Sequence, residues 1–525
     1  MEPILIWFAF LLIPYCCFAI SFYQTAAWSL TLLLLFFYIF IISLFLNLCF
    51  VVPGGFAWKN HLKELSWNTF LGLLPQMGPL AHRKLAVMAS LSHAKRLMAV
   101  SLGSTRVIIS SHPETAKEIL CGAAFSDRPI RESTRLLMFD RAIGFAPYGM
   151  YWRHLRRIAS SHMFSPKRIA SLEGFRQVIA NNIIEKVCEE MSERGFVELR
   201  GILQKSSLDN VLESVFGISD LGNNNNNNIG NNKWDELGLM VKEGYELIGE
   251  FNWADYFLLG FLDFCGVKKR CHKLASRVSV LVSRIIEERR INGDFKMRND
   301  FLSVLLSLPQ EDLLSDADMV AVLWEMVFRG VDNVAILLEW TMARIVLHQD
   351  IQAKAQHEID MYVGQDRHVQ DSDIANLPYL QAIIKEVLRL HPPGPLLSWA
   401  RLSIHDVHLD KCFIPAGTTA MVNMWAIAHD PSVWADPWTF RPERFMEGDF
   451  SIMGSDLRLA PFGSGRRACP GKALGLATVQ LWVARILQKF KWLPSQAVDL
   501  GECLKLSLEM KKPLRCYAVA RSVNN

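Results

Sequence analysis

Hydrophobic and polar positions divide the chain into two unequal parts. Between Glu2 and Lys59 there is no charged side chain, and residues 30–52 form an unbroken, mostly apolar run. About 20 apolar residues cross a bilayer as a helix, so a membrane span is expected over about 30–52. A second apolar run, 4–20, is shorter and contains Pro14. A second span, an interfacial helix and part of a signal sequence all fit it. Lys59, Lys63, Arg83 and Lys84 follow the long run. By the positive-inside rule they place the remainder on the cytosolic side. The expected division is an anchor region, 1–58, and a cytosolic domain, 59–525.

Beyond Pro53-Gly54-Gly55 the apolar period is mainly helical, with β-like runs at 100–110 and 418–424. Residues 223–228, with Gly230, Asn231 and Asn232, form a polar low-complexity stretch expected as a surface loop. An aromatic stretch, 251–264, precedes Lys268-Lys269-Arg270. It reads equally as a solvated helix start or as a second surface touching lipid. Ser315 and Asp318 form a capping pair for a long helix. Apolar positions from Val320 to Trp340 carry it for about thirty residues, roughly 45 Å. Its middle is polar: Arg329, Gly330, Asp332 and Asn333. In a buried helix each needs a partner or a job.

Composition narrows the classes. Hydrophobic residues make up 51% and charged ones 21%, so a large core is available and wholesale disorder is excluded. A net charge of +4 argues against a dedicated nucleic-acid binder. Eleven cysteines without paired spacing argue against a disulfide framework and for a reducing compartment.

The chemistry concentrates at Pro461-Phe462-Gly463-Ser464-Gly465-Arg466-Arg467-Ala468-Cys469-Pro470-Gly471. The glycines permit a tight loop, and Pro470 is a favoured first helical residue. A thiol at a helix N-terminus faces N–H groups that favour the thiolate. Such a thiolate can be the axial ligand of haem iron. A buried structural cysteine is the plain alternative. Zinc is disfavoured because no second Cys or His lies nearby at ligand spacing.

Phe462, Gly465, Arg467, Cys469 and Gly471 reproduce the haem-binding loop of the cytochrome P450 superfamily, which the chain resembles over roughly 75–520. Glu386 and Arg389 resemble the superfamily's Glu-x-x-Arg pair. Phe440-Arg441-Pro442-Glu443-Arg444-Phe445 resembles the segment that completes a buried triad through Arg444. The resemblance implies a mainly α fold with a smaller β portion, behind an N-terminal transmembrane helix. It also implies haem b on Cys469, with Phe462 over the sulfur and Gly471 admitting the ring. Trp152, Arg156, Arg401 and Arg467 would bind the cofactor. Electrons would come from NADPH through a flavoprotein reductase, and O2 and a lipophilic substrate would be consumed.

Finer resemblance is to the plant 78A subfamily. It is carried by Phe145-Ala146-Pro147-Tyr148-Gly149 through Arg157, by Phe164-Ser165-Pro166-Lys167-Arg168, by Phe328-Arg329-Gly330 and by Leu397-Ser398-Trp399-Ala400-Arg401. That resemblance implies an endoplasmic-reticulum anchor, fatty-acid hydroxylation and control of organ or seed size. Phe328, Leu397, Trp399 and Met510 would border the substrate.

The chain departs from the family at the oxygen-handling kink. Asp332 fits, but Asn333 stands where a threonine is usual. Asp332 and Asn333 are the expected proton-handling residues, yet an amide is a poor proton relay. Slower or leakier oxygen activation is therefore expected. Two rivals share the haem loop: a hydroperoxide isomerase or dehydratase needing no reductase, and an anchored haem protein that binds without turnover.

Overall fold

The computed structural model describes residues 33–42, 72–74, 77–217, 228–250, 266–293, 298–397 and 400–521, with isolated residues between. Two compact units are distinguished: Met1–Pro75 with Ala99–Arg106, and Gln76–Met98 with Val107–Asn525. In the first, 33–42 is an apolar helix whose Leu34, Phe37 and Tyr38 are exposed, and Gly72 bridges to Leu102. Among the described residues no helix is long and apolar enough to cross a membrane. Segment 4–20 and most of 30–52 lie outside them. So do 223–227 and most of 251–264.

The second unit is mainly helical. Eight of its helices matter for the site: α1 (Pro113–Cys121), α2 (Met150–Ile158), α3 (Leu199–Phe216), α4 (Asn228–Gly249), α5 (Asp316–Gly330), α6 (Asp332–Leu347), α7 (Pro378–Leu390) and α8 (Lys472–Lys489). Helix α4 begins at Asn228, so Gly230, Asn231 and Asn232, expected in a loop, are helical. Lys268-Lys269-Arg270 opens the helix Val267–Asn292. Asp263 accepts from the amides of Lys268 and Lys269 at that helix start.

The strands are short. The run 100–110 is split by a turn at Gly103 into Met98–Leu102 and β1 (Thr105–Ser110). Then come β2 (Arg401–Leu402), β3 (Thr419–Val422), β4 (Glu502–Leu504) and β5 (Leu508–Met510). Residues Val107 to Ser110 of β1 pair parallel with β3, and β2 adds antiparallel to β3 from Arg401↔Ala420. Strands β4 and β5 form a hairpin whose turn carries Ser507.

Ser315 caps α5: its Oγ accepts from the Asp318 amide at 3.2 Å. The expected thirty-residue helix is two helices, α5 and α6, broken at Val331. Side chains from neighbouring helices bond to carbonyls on either side of the break. Tyr245 of α4 donates to the Phe328 carbonyl at 2.7 Å, and Ser207 of α3 donates to the Val331 carbonyl at 2.5 Å. Gly330 sits where a Cβ would come within 2.8 Å of Val211 on α3. One apolar cluster gathers around α5 with Trp324, and another around α6 and α8 with Trp340 and Trp482.

Candidate active site

The cysteine loop is shaped by what it touches. Gly463 and Gly465 have φ of 69° and 68°, the left-handed region that glycine enters without steric cost. A Cβ on Gly465 would lie 2.2 Å from the Leu120 carbonyl of α1, so the loop rests directly on that helix. The Cys469 amide donates to the Phe462 carbonyl at 2.9 Å. Gly471 is the N-cap of α8, so Pro470 occupies the turn before the helix rather than its first position. Cys469 nevertheless lies at the amino end of α8.

Cys469 faces a cavity of about 280 Å³. Phe462 and Gly471 border it on the loop side, and Arg329, Gly330 and Asn333 border it from the helix break. Arg128, Arg156, Arg401 and Arg467 also line it. Arg467 donates to the carbonyls of Ser126 (2.9 Å) and Ala146 (2.7 Å). Arg401 donates to Ser464 (3.0 Å) and Arg156 to Ala468 (2.5 Å).

Burial disfavours the charged form of all four, and like charge adds to the effect for Arg128, Arg401 and Arg467. Burial and then Arg467 push Arg401 down to about 9. Burial pushes Arg467 down to about 10, against the pull of Asp127. Arg128 is driven well down by burial and by Arg401, Arg329 and Arg467. A buried excess of cations fits a ligand carrying two carboxylates, and a cysteine sulfur in the same cavity fits an iron centre. The donor set therefore fits haem, with Cys469 as the metal ligand and Arg128, Arg156, Arg401 and Arg467 around its propionates.

The helix break brings Asn333 to the cavity. Its Oδ1 accepts from Ser507 Oγ at 3.0 Å. Asp332 is not among the lining residues. Burial and Glu509 raise its carboxyl to about 6, with Lys505 opposing. Asp332 thus faces the β4–β5 hairpin, one residue from the cavity.

The structure brings Arg156, Arg401, Phe462, Arg467, Cys469, Gly471, Asn333 and Leu397 together at the cavity. Besides Asp332, three expected residues lie off it. Trp152 gives its indole N–H to the Ile143 carbonyl at 2.9 Å and lies under the Arg467 guanidinium, 4.6 Å from the ring centre. Its contribution is to hold Arg467. Phe328 stacks on Tyr245 at 4.5 Å and packs against Trp324, because the helix turns that face into the core. Met510 is buried in the cluster around α6, and its carbonyl accepts from Arg200. Trp399 lies outside the described residues. Arg128 and Glu325 line the cavity and were not singled out from the sequence. The i, i+4 spacing of Glu325 and Arg329 on an apolar helix was the available signal.

A second charged cluster is closed. Glu386 on α7 accepts from Arg389 through both oxygens at 2.8 Å and from Arg444 Nε at 3.1 Å. Arg389 also donates to the carbonyls of Ala428 and Pro437, and Arg444 to that of Ala435. Trp434 lies beneath both guanidiniums, at 5.5 and 6.0 Å.

The chain as a whole is similar to known proteins. The family model for cytochrome P450 matches residues 63–516. Cytochrome P450 78A5 of Arabidopsis thaliana is 53% identical over 90% of this chain and 92% of its own length. Cytochrome P450 78A3 of Glycine max is 50% identical over 90% and 92%. A zebrafish cytochrome P450 solved with progesterone superposes with a TM-score of 0.71 at 25% identity, covering 84% of this chain and 99% of that one. Similarity thus extends over nearly the whole length of the chain, which carries this cysteine loop, arginine-lined cavity and closed triad, and the chain belongs to the cytochrome P450 family of monooxygenases.

Proposed function

We propose that this enzyme hydroxylates a lipophilic substrate, a fatty acid or a growth signal derived from one, and that the product regulates plant organ or seed growth. The observation that carries the chemistry is Cys469 opening, at the amino end of α8, onto a cavity with a surplus of buried arginines. Haem b bound there would supply O2 activation with two electrons from NADPH through a flavoprotein reductase. The chain's own part is to hold, exclude and deliver. Arg128, Arg156, Arg401 and Arg467 fix the cofactor's acidic edge, and Cys469 fixes its metal. Leu388, Leu397 and Val211 exclude water from the reacting carbon. Asp332, near neutrality in its pKa, holds or releases a proton beside Asn333.

The growth role rests on likeness to the 78A relatives. The apolar run 30–52 and its positive flank support an endoplasmic-reticulum anchor with the catalytic part facing the cytosol. The test is turnover of a fatty-acid panel in microsomes with a plant reductase and labelled O2. NADPH-dependent label in a hydroxylated product is expected. Conversion of hydroperoxides without NADPH would overturn the reading.

A further inference from the structure

The tip of the β4–β5 hairpin meets the first turn of α6. Ser507, buried in the hairpin turn, gives its hydroxyl to Asn333 Oδ1 at 3.0 Å. Among the described residues this is the one hydrogen bond of the Asn333 side chain. An amide carries its acceptor and its two donors on different branches of a planar group. With Oδ1 committed to the hairpin, the nitrogen is the branch left for the cavity that Asn333 lines.

The hairpin is itself held in place. The Leu508 amide donates to the Pro393 carbonyl and the Leu504 amide to the Pro79 carbonyl, both at 2.8 Å. Trp340, about two turns beyond Asn333 on α6, donates its indole N–H to the Leu508 carbonyl at 2.9 Å. At the base of the hairpin the buried Glu502 carboxylate accepts from Arg83 Nε at 2.7 Å and lies 3.0 Å from His82 Nε2. Next to Ser507 stand Lys505 and Glu509, paired at 2.5 Å. They reach the neighbouring Asp332: burial and then Glu509 raise its carboxyl, with Lys505 opposing. The first turn of α6 thus rests on a fixed polar frame.

Resting on the monooxygenase reading above, we propose that Ser507 is a positioning residue: it holds the Asn333 amide with its nitrogen towards the cavity, so that Asn333 acts there as a hydrogen-bond donor. A threonine hydroxyl donates and accepts through one atom. An asparagine has two chemically different ends, and without an orienting bond either could face the ligand. Negative charge developing on oxygen in the cavity is stabilised by a fixed donor and opposed by a carbonyl oxygen. Ser507 selects the donor.

The test uses the full-length, haem-loaded protein and needs neither substrate nor reductase. Carbon monoxide on the dithionite-reduced protein is the probe. Its infrared stretch falls when a donor points at it and rises when a lone pair does. Asn333→Ala and Ser507→Ala should each move the stretch to higher wavenumber, and Ser507→Thr, which keeps the hydroxyl, should leave it in place. The second readout is the decay of the oxygen complex formed by mixing the reduced protein with O2. It should quicken about fivefold in either alanine variant, the worth of one neutral hydrogen bond. Ser507→Ala should add nothing once Asn333 is alanine, because a residue that acts through another falls silent when that one is gone. Loosening of the hairpin alone would persist in that background. An additive double variant, an unmoved stretch in Ser507→Ala, or a stretch moved to lower wavenumber would overturn the proposal. If Ser507→Ala loses the thiolate-type CO difference spectrum, Ser507→Cys replaces it, a weaker donor of similar shape, with an intermediate shift expected. Failure of the unaltered protein to form a thiolate-type CO complex would overturn the monooxygenase reading and this proposal with it. Every other outcome leaves that reading standing.

Discussion

Around Glu386 two guanidiniums share one carboxylate and spend their remaining N–H groups on carbonyls. Around the cavity five guanidiniums gather, those of Arg128, Arg156, Arg329, Arg401 and Arg467, and the carboxylates near them, Asp127 and Glu325, are fewer. The first cluster is closed on its own carboxylate, whereas the second carries an excess of positive charge. Buried charge is tolerated when paired and hydrogen-bonded. An excess of buried positive charge lining a cavity suits an acidic ligand. The same residue type thus serves architecture in one place and cofactor capture in the other, and only its bonding inventory tells them apart.

Variants can break this contrast. Cys469→Ala should have the largest effect: turnover falls to background and the thiolate-type CO spectrum disappears, while circular dichroism of the haem-free protein is unchanged. Glu386→Leu should cost about 3–5 kcal/mol, because it strands two buried cations. Denaturant unfolding would read this, and an unshifted midpoint would show that the triad is not the structural half of the comparison. Arg401→Leu should act in the opposite sense on the empty protein. Removing one of several mutually repelling cations should leave the haem-free chain no less stable, while haem affinity falls about tenfold or more. Comparing apo and loaded melting curves with haem titration separates the two effects.

Smaller effects sharpen the picture at the helix break. The Asp332 carboxyl is raised in the folded state, so that state holds its proton more tightly than the unfolded chain does. Stability from this group is therefore present at low pH and lost as pH rises from about 4 to about 6. Asp332→Asn should flatten that slope and stabilise the protein at pH 7.5 by about 1–3 kcal/mol. Asn333→Thr should raise product formed per NADPH consumed by about twofold, with less hydrogen peroxide released. An unchanged ratio would mean that the amide, held by Ser507, already suffices.

Much of this was legible before the fold was known. Cys469, Arg467, Glu386 and Arg389 sit in short motifs whose spacing reports their chemistry. What the chain does locally was also readable, as at the Ser315 cap. Long-range partners were not. No pattern near Val331 reveals that the helix divides there, with Tyr245 and Ser207 bonded to carbonyls on either side. Nor does any pattern reveal that this division turns Phe328 into the core while leaving Asn333 on the cavity. Arg128 is one arginine among many in sequence. Only packing beside Arg401 and Arg467 makes it part of a site. Trp152 shows the converse: a motif position is readable, but which carbonyl takes its N–H is a tertiary fact.

The division at Val331 has one more consequence. A helix that is interrupted also begins again, and every beginning leaves its first amides without intrahelical acceptors. Helix α6 starts at Asp332, beside the cavity, so a second amino terminus, besides that of α8, lies near the chemistry. That amino end abuts the carboxyl end of α5, so freed amides and freed carbonyls meet within one turn of Val331, near the cavity, where Ser207 and Tyr245 bond two of the carbonyls. Residues that never touch a substrate can in this way reset the electrostatic floor on which Asp332 and Asn333 act.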